Sequence, residues 1–200
     1  MKSAGRKVSS LEEFLHIAKE DFHEAYRIFT ERHFSLILSD QSEKIRSLYA
    51  GMSQQPVTYQ HLEEFLIAAG AKEKVTLSLN REEAGFYDVS ESVQESLYIH
   101  RSGWGHLRAD IEVNGDFLEA GKHVVTEEDF IGSTCEINYV IRQEKLGKGN
   151  QYGEIIVKTP YQKLVYHVLA SRGTESAVNL DLLEKQYRIS LMKEYLLSLI

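Results

Sequence analysis

Two hundred residues carry 42% hydrophobic and 26% charged side chains, two prolines, one cysteine and a formal net charge of -7. That length suffices for one large domain or two small ones, each with a real core, and the composition is too apolar for a disordered chain. Cys135 stands alone, which excludes an internal disulfide and a paired-cysteine zinc site. No apolar run approaches the roughly eighteen residues of a membrane helix, and the acidic balance argues against general nucleic-acid binding, which needs clustered Lys and Arg.

The first 72 residues carry a net charge of -1 and read as helices. Ser10 and Glu13 have capping-box spacing, and Leu11, Phe14, Leu15, Ala18, Phe22, Ala25, Tyr26 and Phe29 behind them form one apolar stripe. A short apolar stretch follows at Phe34–Leu38. Ile45, Leu48 and Tyr49 predict a helix closed by Gly51. Thr58 predicts an N-cap for a helix through Leu62, Phe65, Leu66 and Ala69, with Gly70 past its end. The pentapeptide Leu-Glu-Glu-Phe-Leu occurs at 11–15 and 62–66, but the similarity stops at its edges, so it reads as two helix starts rather than a repeat.

From Val75 the hydrophobic period drops to two, and residues 73–170 hold a net charge of -6. Alternation runs through Val75–Leu79, Val93–Ile99, Leu107–Val113, Cys135–Ile141, Ile155–Val157 and Leu164–Val168, with glycine-bearing turns between. Asn114-Gly115 is the strongest turn signal. Short alternating strands without intervening helices predict an antiparallel sandwich of immunoglobulin-like type. The fold class is therefore α+β, with a helical segment at 1–72, a sandwich at 73–170 and a C-terminal helix at 171–200. That last segment is apolar on more than one side: Leu180, Leu183, Tyr187, Leu191, Tyr195 and Leu199 share a face that Leu182, Ile189, Met192, Leu196, Leu197 and Ile200 broaden. It runs to Ile200 without a C-cap, and reads as the start of a longer helical region, as a contact with another subunit, or as a helix docked on the sandwich. Leu191, Leu196 and Leu199 are the partner-contact candidates.

Chemistry is sparse in the pattern. The eight histidines never take His-Glu-x-x-His spacing, and His16 and His23 stand two helical turns apart, too far to share a metal. Cys135 falls at an apolar strand phase and reads as a core residue. Neither a Gly-x-Ser-x-Gly elbow nor a phosphate loop is present, and Gly147-Lys148-Gly149 is a turn. The consecutive acids Glu127-Glu128-Asp129 after Thr126 fit a capped helical turn better than a calcium loop, whose ligands alternate. Trp104, between Gly103 and Gly105, is the one residue that invites a binding role, with Tyr98 and Tyr152 as further aromatic candidates. It serves either as a sugar-stacking platform or as a cover over one end of the sandwich core.

Phe117-Leu118-Glu119, V-V-T-E-E-D-F-I-G at 124–132, C-E-I-N-Y-V-I at 135–141 and Y-G-E-I-I-V-K-T-P at 152–160, with both Leu-Glu-Glu-Phe-Leu segments, resemble an uncharacterised family. Its members are large proteins of Gram-positive anaerobes such as Clostridia, with immunoglobulin-like sandwich modules beside helical repeats. The resemblance covers roughly residues 8–170 and implies fold and context, with no catalytic residues to carry over. The expected role is a non-enzymatic interaction or scaffolding module without cofactor or metal, contacting other protein segments and neither nucleic acid nor the membrane interior. Met1–Ser10 is basic but leads into an amphipathic segment rather than an apolar signal core, so the expected location is the cytoplasm, with the cell surface as the alternative for a fragment.

Overall fold

The computed structural model describes residues 8–172 together with Lys185, Tyr187, Arg188 and Leu191. The predicted C-terminal helix, with Leu196 and Leu199, lies otherwise outside the described residues. Five helices come first: α1 (Leu11–Glu20), α2 (Phe22–Phe29), α3 (Phe34–Ile37), α4 (Glu43–Met52) and α5 (Tyr59–Ala68). Nine strands follow: β1 (Thr76–Leu79), β2 (Glu83–Phe86), β3 (Val93–Ser102), β4 (Arg108–Asn114), β5 (Leu118–Ala120), β6 (Val124–Thr126), β7 (Thr134–Ile141), β8 (Asn150–Lys158) and β9 (Lys163–Ser171). The protein is a mixed α+β chain.

The long apolar stripe of the first segment divides in two at Asp21. Its backbone is extended, its N–H closes α1 on the Ile17 carbonyl at 2.7 Å, and its carboxylate accepts the Glu24 N–H at 2.9 Å to open α2. Ser10 caps α1 by accepting from the Glu13 N–H, but Glu13 reaches back to Ser9 rather than to its cap. Thr58 opens α5 as predicted, with His61 completing a reciprocal cap, and Gly70 takes the left-handed conformation past the helix end. Gly51 does not close α4: the helix runs through it to Met52. The five helices enclose an aromatic core in which Phe14, Phe29, Phe34 and Phe65 are fully buried, Phe14 and Phe34 meeting edge to face at 4.6 Å between centroids.

The strands form two sheets across one core, in the orders β1-β3-β7-β5 and β2-β9-β8-β4-β6. Leu97, Ile99, Ile137 and Tyr139 of the first face Ile111, Ile155, Val157 and Tyr166 of the second, all buried. The alternating residues of both sheets point outward, as half-buried strands require. Pairing is antiparallel with one exception: β2 lies parallel to β9, Glu83 opposite His167. Three short strands, β2, β5 and β6, add to the six predicted. From β1 to β8 the chain changes sheet at every step, and among the described residues β8–β9 is the one hairpin of consecutive strands. Asn114-Gly115 is accordingly not a hairpin turn. Gly115, at φ 111, lets the chain leave β4 and cross to β5 in the opposite sheet, where its carbonyl accepts the Leu118 N–H.

Candidate functional site

The most unusual chemistry lies where α5 meets the β3–β4 crossover. Glu63 stands on the inward face of α5 between Leu62 and Leu66, and is 1% exposed. Its Oε1 is paired with the Lys72 Nζ, whose side chain is equally buried, and its Oε2 accepts the His106 N–H at 3.2 Å. Lys72 Nζ also donates to the Trp104 carbonyl and stands 4.8 Å from the centroid of the indole. Burial pushes the Glu63 carboxyl up and the Lys72 ammonium down, each drawn back by the other's charge. The chain must pass very close here, and Gly105 makes this possible: at φ 105, a Cβ would collide with Lys72 Nζ and lie 2.6 Å from Glu63 Oε2.

His106 extends the network toward the sandwich. Its Nδ1 lies 3.2 Å from Glu127 Oε1, while Glu127 Oε2 accepts the Leu107 N–H at 3.1 Å. Burial opposes ionisation of Glu127, but the hydrogen bonds from His106 and the Leu107 backbone outweigh it and lower its pKa. On the helical side the imidazole stacks on Tyr59 at 5.5 Å, and Tyr59 in turn stacks on Tyr26 at 4.0 Å. Gln60 Nε2 donates to the Tyr161 hydroxyl at 2.8 Å beside this stack. Helices and sandwich are thus joined by groups that satisfy one another, and no buried side-chain nitrogen or oxygen among the described residues lacks a partner.

The sequence candidates fall on three separate surfaces. Trp104 is half-buried against the helical core with Lys72 over its ring, so it covers the junction and offers a sugar no stacking surface on the side Lys72 occupies. Tyr98 is 39% exposed on the outer face of the four-stranded sheet, its hydroxyl 3.4 Å from Glu136. Tyr152 is 59% exposed on the outer face of the five-stranded sheet, with Lys185 Nζ 5.7 Å above its ring. The three do not form one platform. Leu191 is exposed, as is Tyr187.

Other sites resolve into ordinary structure. Glu127–Asp129 form a single 3-10 turn in which Asp129 accepts the Thr126 N–H at 2.8 Å and pairs with Lys122. No group of three His, Cys, Asp or Glu positioned for a metal occurs among the described residues. Cys135 is 1% exposed, and burial raises its thiol pKa, the opposite of an activated nucleophile. Two open depressions lie on the described surface. One of about 420 Å³ lies between α4 and α5 beside His61, and one of about 370 Å³ lies beside Arg81, Glu95 and Tyr98. No helix among the described residues is long and apolar enough to cross a membrane. The buried pair and His106 were missed from sequence because their partners are remote. The available signal was a carboxylate at the apolar phase of α5.

Over residues 1–197 the sequence matches a family described as a family of unknown function, DUF5717, N-terminal. No curated protein matches it. Among solved structures, WR4, a C. elegans MSP family member, is similar with a TM-score of 0.37 and 6% identity, covering 48% of this chain and 97% of that one. A FixG-related protein from Vibrio parahaemolyticus gives 0.35 and 10%, covering 52% and 100%. The VesB protease of Vibrio cholerae gives 0.32 and 8%, covering 48% and 31%. Likenesses this slight carry no argument about function.

Proposed function

From the DUF5717 N-terminal family, to which the chain belongs, we propose a non-enzymatic protein-interaction or scaffolding module of a larger bacterial protein. The observation that carries this reading is the junction. Its charged and polar groups are spent on one another, tying helices to sandwich rather than facing a substrate. In this reading the sandwich serves as an immunoglobulin-like module, in the context of a large cytoplasmic protein of a Gram-positive anaerobe with helical repeats. The family description, which names an N-terminal part, supports a longer chain. The partners are other segments of that chain or a second subunit, and the contact includes Leu191 and Tyr187, which expose apolar surface one helical turn apart.

The test is binding of the purified chain to the remainder of its own full-length protein, and to itself, by light scattering and calorimetry. Association weakened about tenfold or more by Leu191→Asp supports the reading, since the substitution removes roughly a buried leucine's contribution. Absence of both associations, or full retention by the variant, refutes it.

A further inference from the structure

Two stretches of sheet edge adjoin on one side of the sandwich, and the chain treats them differently. β1 pairs with β3 from Ser102 to Ile99 and then ends, where the Asn80 side chain in place of its carbonyl accepts the Tyr98 N–H at 3.1 Å. β3 runs on to Val93, paired there with β7 on its other side. The outer edge of β1 is blocked: the Gln162 amide accepts the Leu77 N–H at 2.7 Å and donates to the Leu77 carbonyl at 3.2 Å. Beside residues 93–97 no described strand takes the corresponding place. What is left is a notch, the depression of about 370 Å³ bounded by Asn80, Arg81 and the β3 edge from Gln94 to Tyr98. The Tyr98 carbonyl accepts the Asn80 N–H at 3.0 Å, so the even-numbered residues of β3 turn their backbone groups to this side. Those of Ser96 and Gln94 therefore face the notch. A side chain reaches across it: Arg81 Nη2 donates to the Ser96 carbonyl at 3.2 Å.

We infer that the notch is a strand-addition site, in which an extended basic segment of a partner protein continues the line of β1, antiparallel to β3. An open row of backbone N–H and C=O groups is a template for another chain. Residues 93–97 extend over about 17 Å, the length of a short strand. Charge selects the occupant. Residues 81–95, which frame the notch, hold Glu82, Glu83, Asp88, Glu91 and Glu95 against Arg81 alone. The same acidic rim on a second copy is repelled, whereas a strand bearing Lys or Arg is attracted. Arg81 does not bar entry, because its side chain is long and the Ser96 carbonyl has a second lone pair to offer. Blocking β1 with Gln162 while leaving β3 open confines the added strand to one place and one register. Neither Leu191 nor Tyr187 takes part, so the notch stands or falls separately from any contact they make.

A labelled peptide of alternating Lys and Val, six residues long, tests this by fluorescence polarisation with the full chain. Recognition is of main chain and charge, so no particular sequence is required. The peptide should bind, and its Glu-Val counterpart should bind about tenfold or more weakly. Methylating the backbone nitrogens of the lysines alone, or of the valines alone, strips donors from one edge of the added strand at a time. One pattern should weaken binding about tenfold or more and the other less than about twofold, since a single edge meets β3. Gln94→Pro removes an N–H that faces the notch and spares the ladder to β7, and it should weaken binding about tenfold. Buried Cys135, unreactive toward thiol reagents, reports an intact fold in that variant. Absence of binding at about 1 mM peptide, equal losses from the two methylation patterns, or full binding by Gln94→Pro would overturn the inference. So would self-association of the chain that the peptide displaces, which assigns the notch to a second copy.

Discussion

Glu63 and Lys72 form an ion pair with both side chains 1% exposed, sealed by the Trp104 carbonyl on one side and the His106 N–H on the other. A pair so placed contributes little net stability, since desolvation offsets its attraction, but breaking it leaves a lone charge in the interior. Lys72→Met is therefore expected to destabilise the chain by about 3–5 kcal/mol. The double variant Lys72→Met/Glu63→Leu should recover a large part of that loss. Urea denaturation of the four members of the cycle measures the coupling, and additive losses would remove the pair from the account.

Gly105 is the second handle on the junction. Alanine there combines a strained φ with a Cβ inside the space of Lys72 and Glu63. We expect Gly105→Ala to cost more than about 2 kcal/mol, against about 1 kcal/mol for Gly132→Ala, where φ is also positive but nothing lies near. Thermal midpoints of the two variants compare steric collision with conformational strain alone.

Inside the sandwich, the hydroxyls of Tyr139 and Tyr166 meet at 2.9 Å, one from each sheet, in full burial. Burial drives the Tyr139 phenol far above its ordinary range, and the two hydroxyls satisfy each other. Removing one hydroxyl leaves its partner unpaired, at about 1–3 kcal/mol for Tyr139→Phe. The Tyr139→Phe/Tyr166→Phe double variant should lose less than the sum of the singles, a non-additivity that denaturation curves resolve.

At the sandwich rim, hydrogen bonds from Arg142 and Lys145 lower the Glu119 pKa from 4.5 to about 2. A carboxylate whose pKa falls on folding adds stability above its unfolded value, and that stability drains away as pH drops through the folded one. Asp129, lowered by Lys122, has the same sign. Stability should thus decline between pH 4.5 and about 2, and Glu119→Gln should flatten that decline. The side chains are exposed, so salt should shrink the effect. An unchanged acid profile in the variant would show that these pairs do not couple to folding.

The helical half was readable to the extent that helix signals are local. Thr58, Gly70 and the aromatic stripe act within a few residues, and each falls where expected. Asp21 interrupted that stripe unannounced, because one carboxylate serving two helix ends leaves the apolar spacing intact. Gly51 misled for the reverse reason: a helix held by tertiary packing tolerates a glycine that would end a weaker one. Among the strands, β2, β5 and β6 span three or four residues, too few for alternation to show, and Gly85 interrupts β2. Asn114-Gly115 announced a reversal but not which sheet would receive the chain. The junction was least accessible of all, since Glu63, Lys72, His106 and Glu127 come from four separate segments.

The shuttling of β1 to β8 between sheets bears on the order in which the protein assembles. Every strand before the last hairpin must wait for a partner that is not its neighbour, and β2 waits for β9, the final strand. Contacts of long sequence separation form late, because loop entropy is spent before they reward it. As the chain leaves the ribosome, the helical core, whose buried residues end at Leu66, can collapse alone while the sheets stay open. The β8–β9 hairpin then acts as the clasp: its arrival supplies the partner for β2 and the centre of the larger sheet together. A nascent chain halted before Ser171 would carry folded helices beside bare strand edges, the form in which this protein is most exposed to its neighbours.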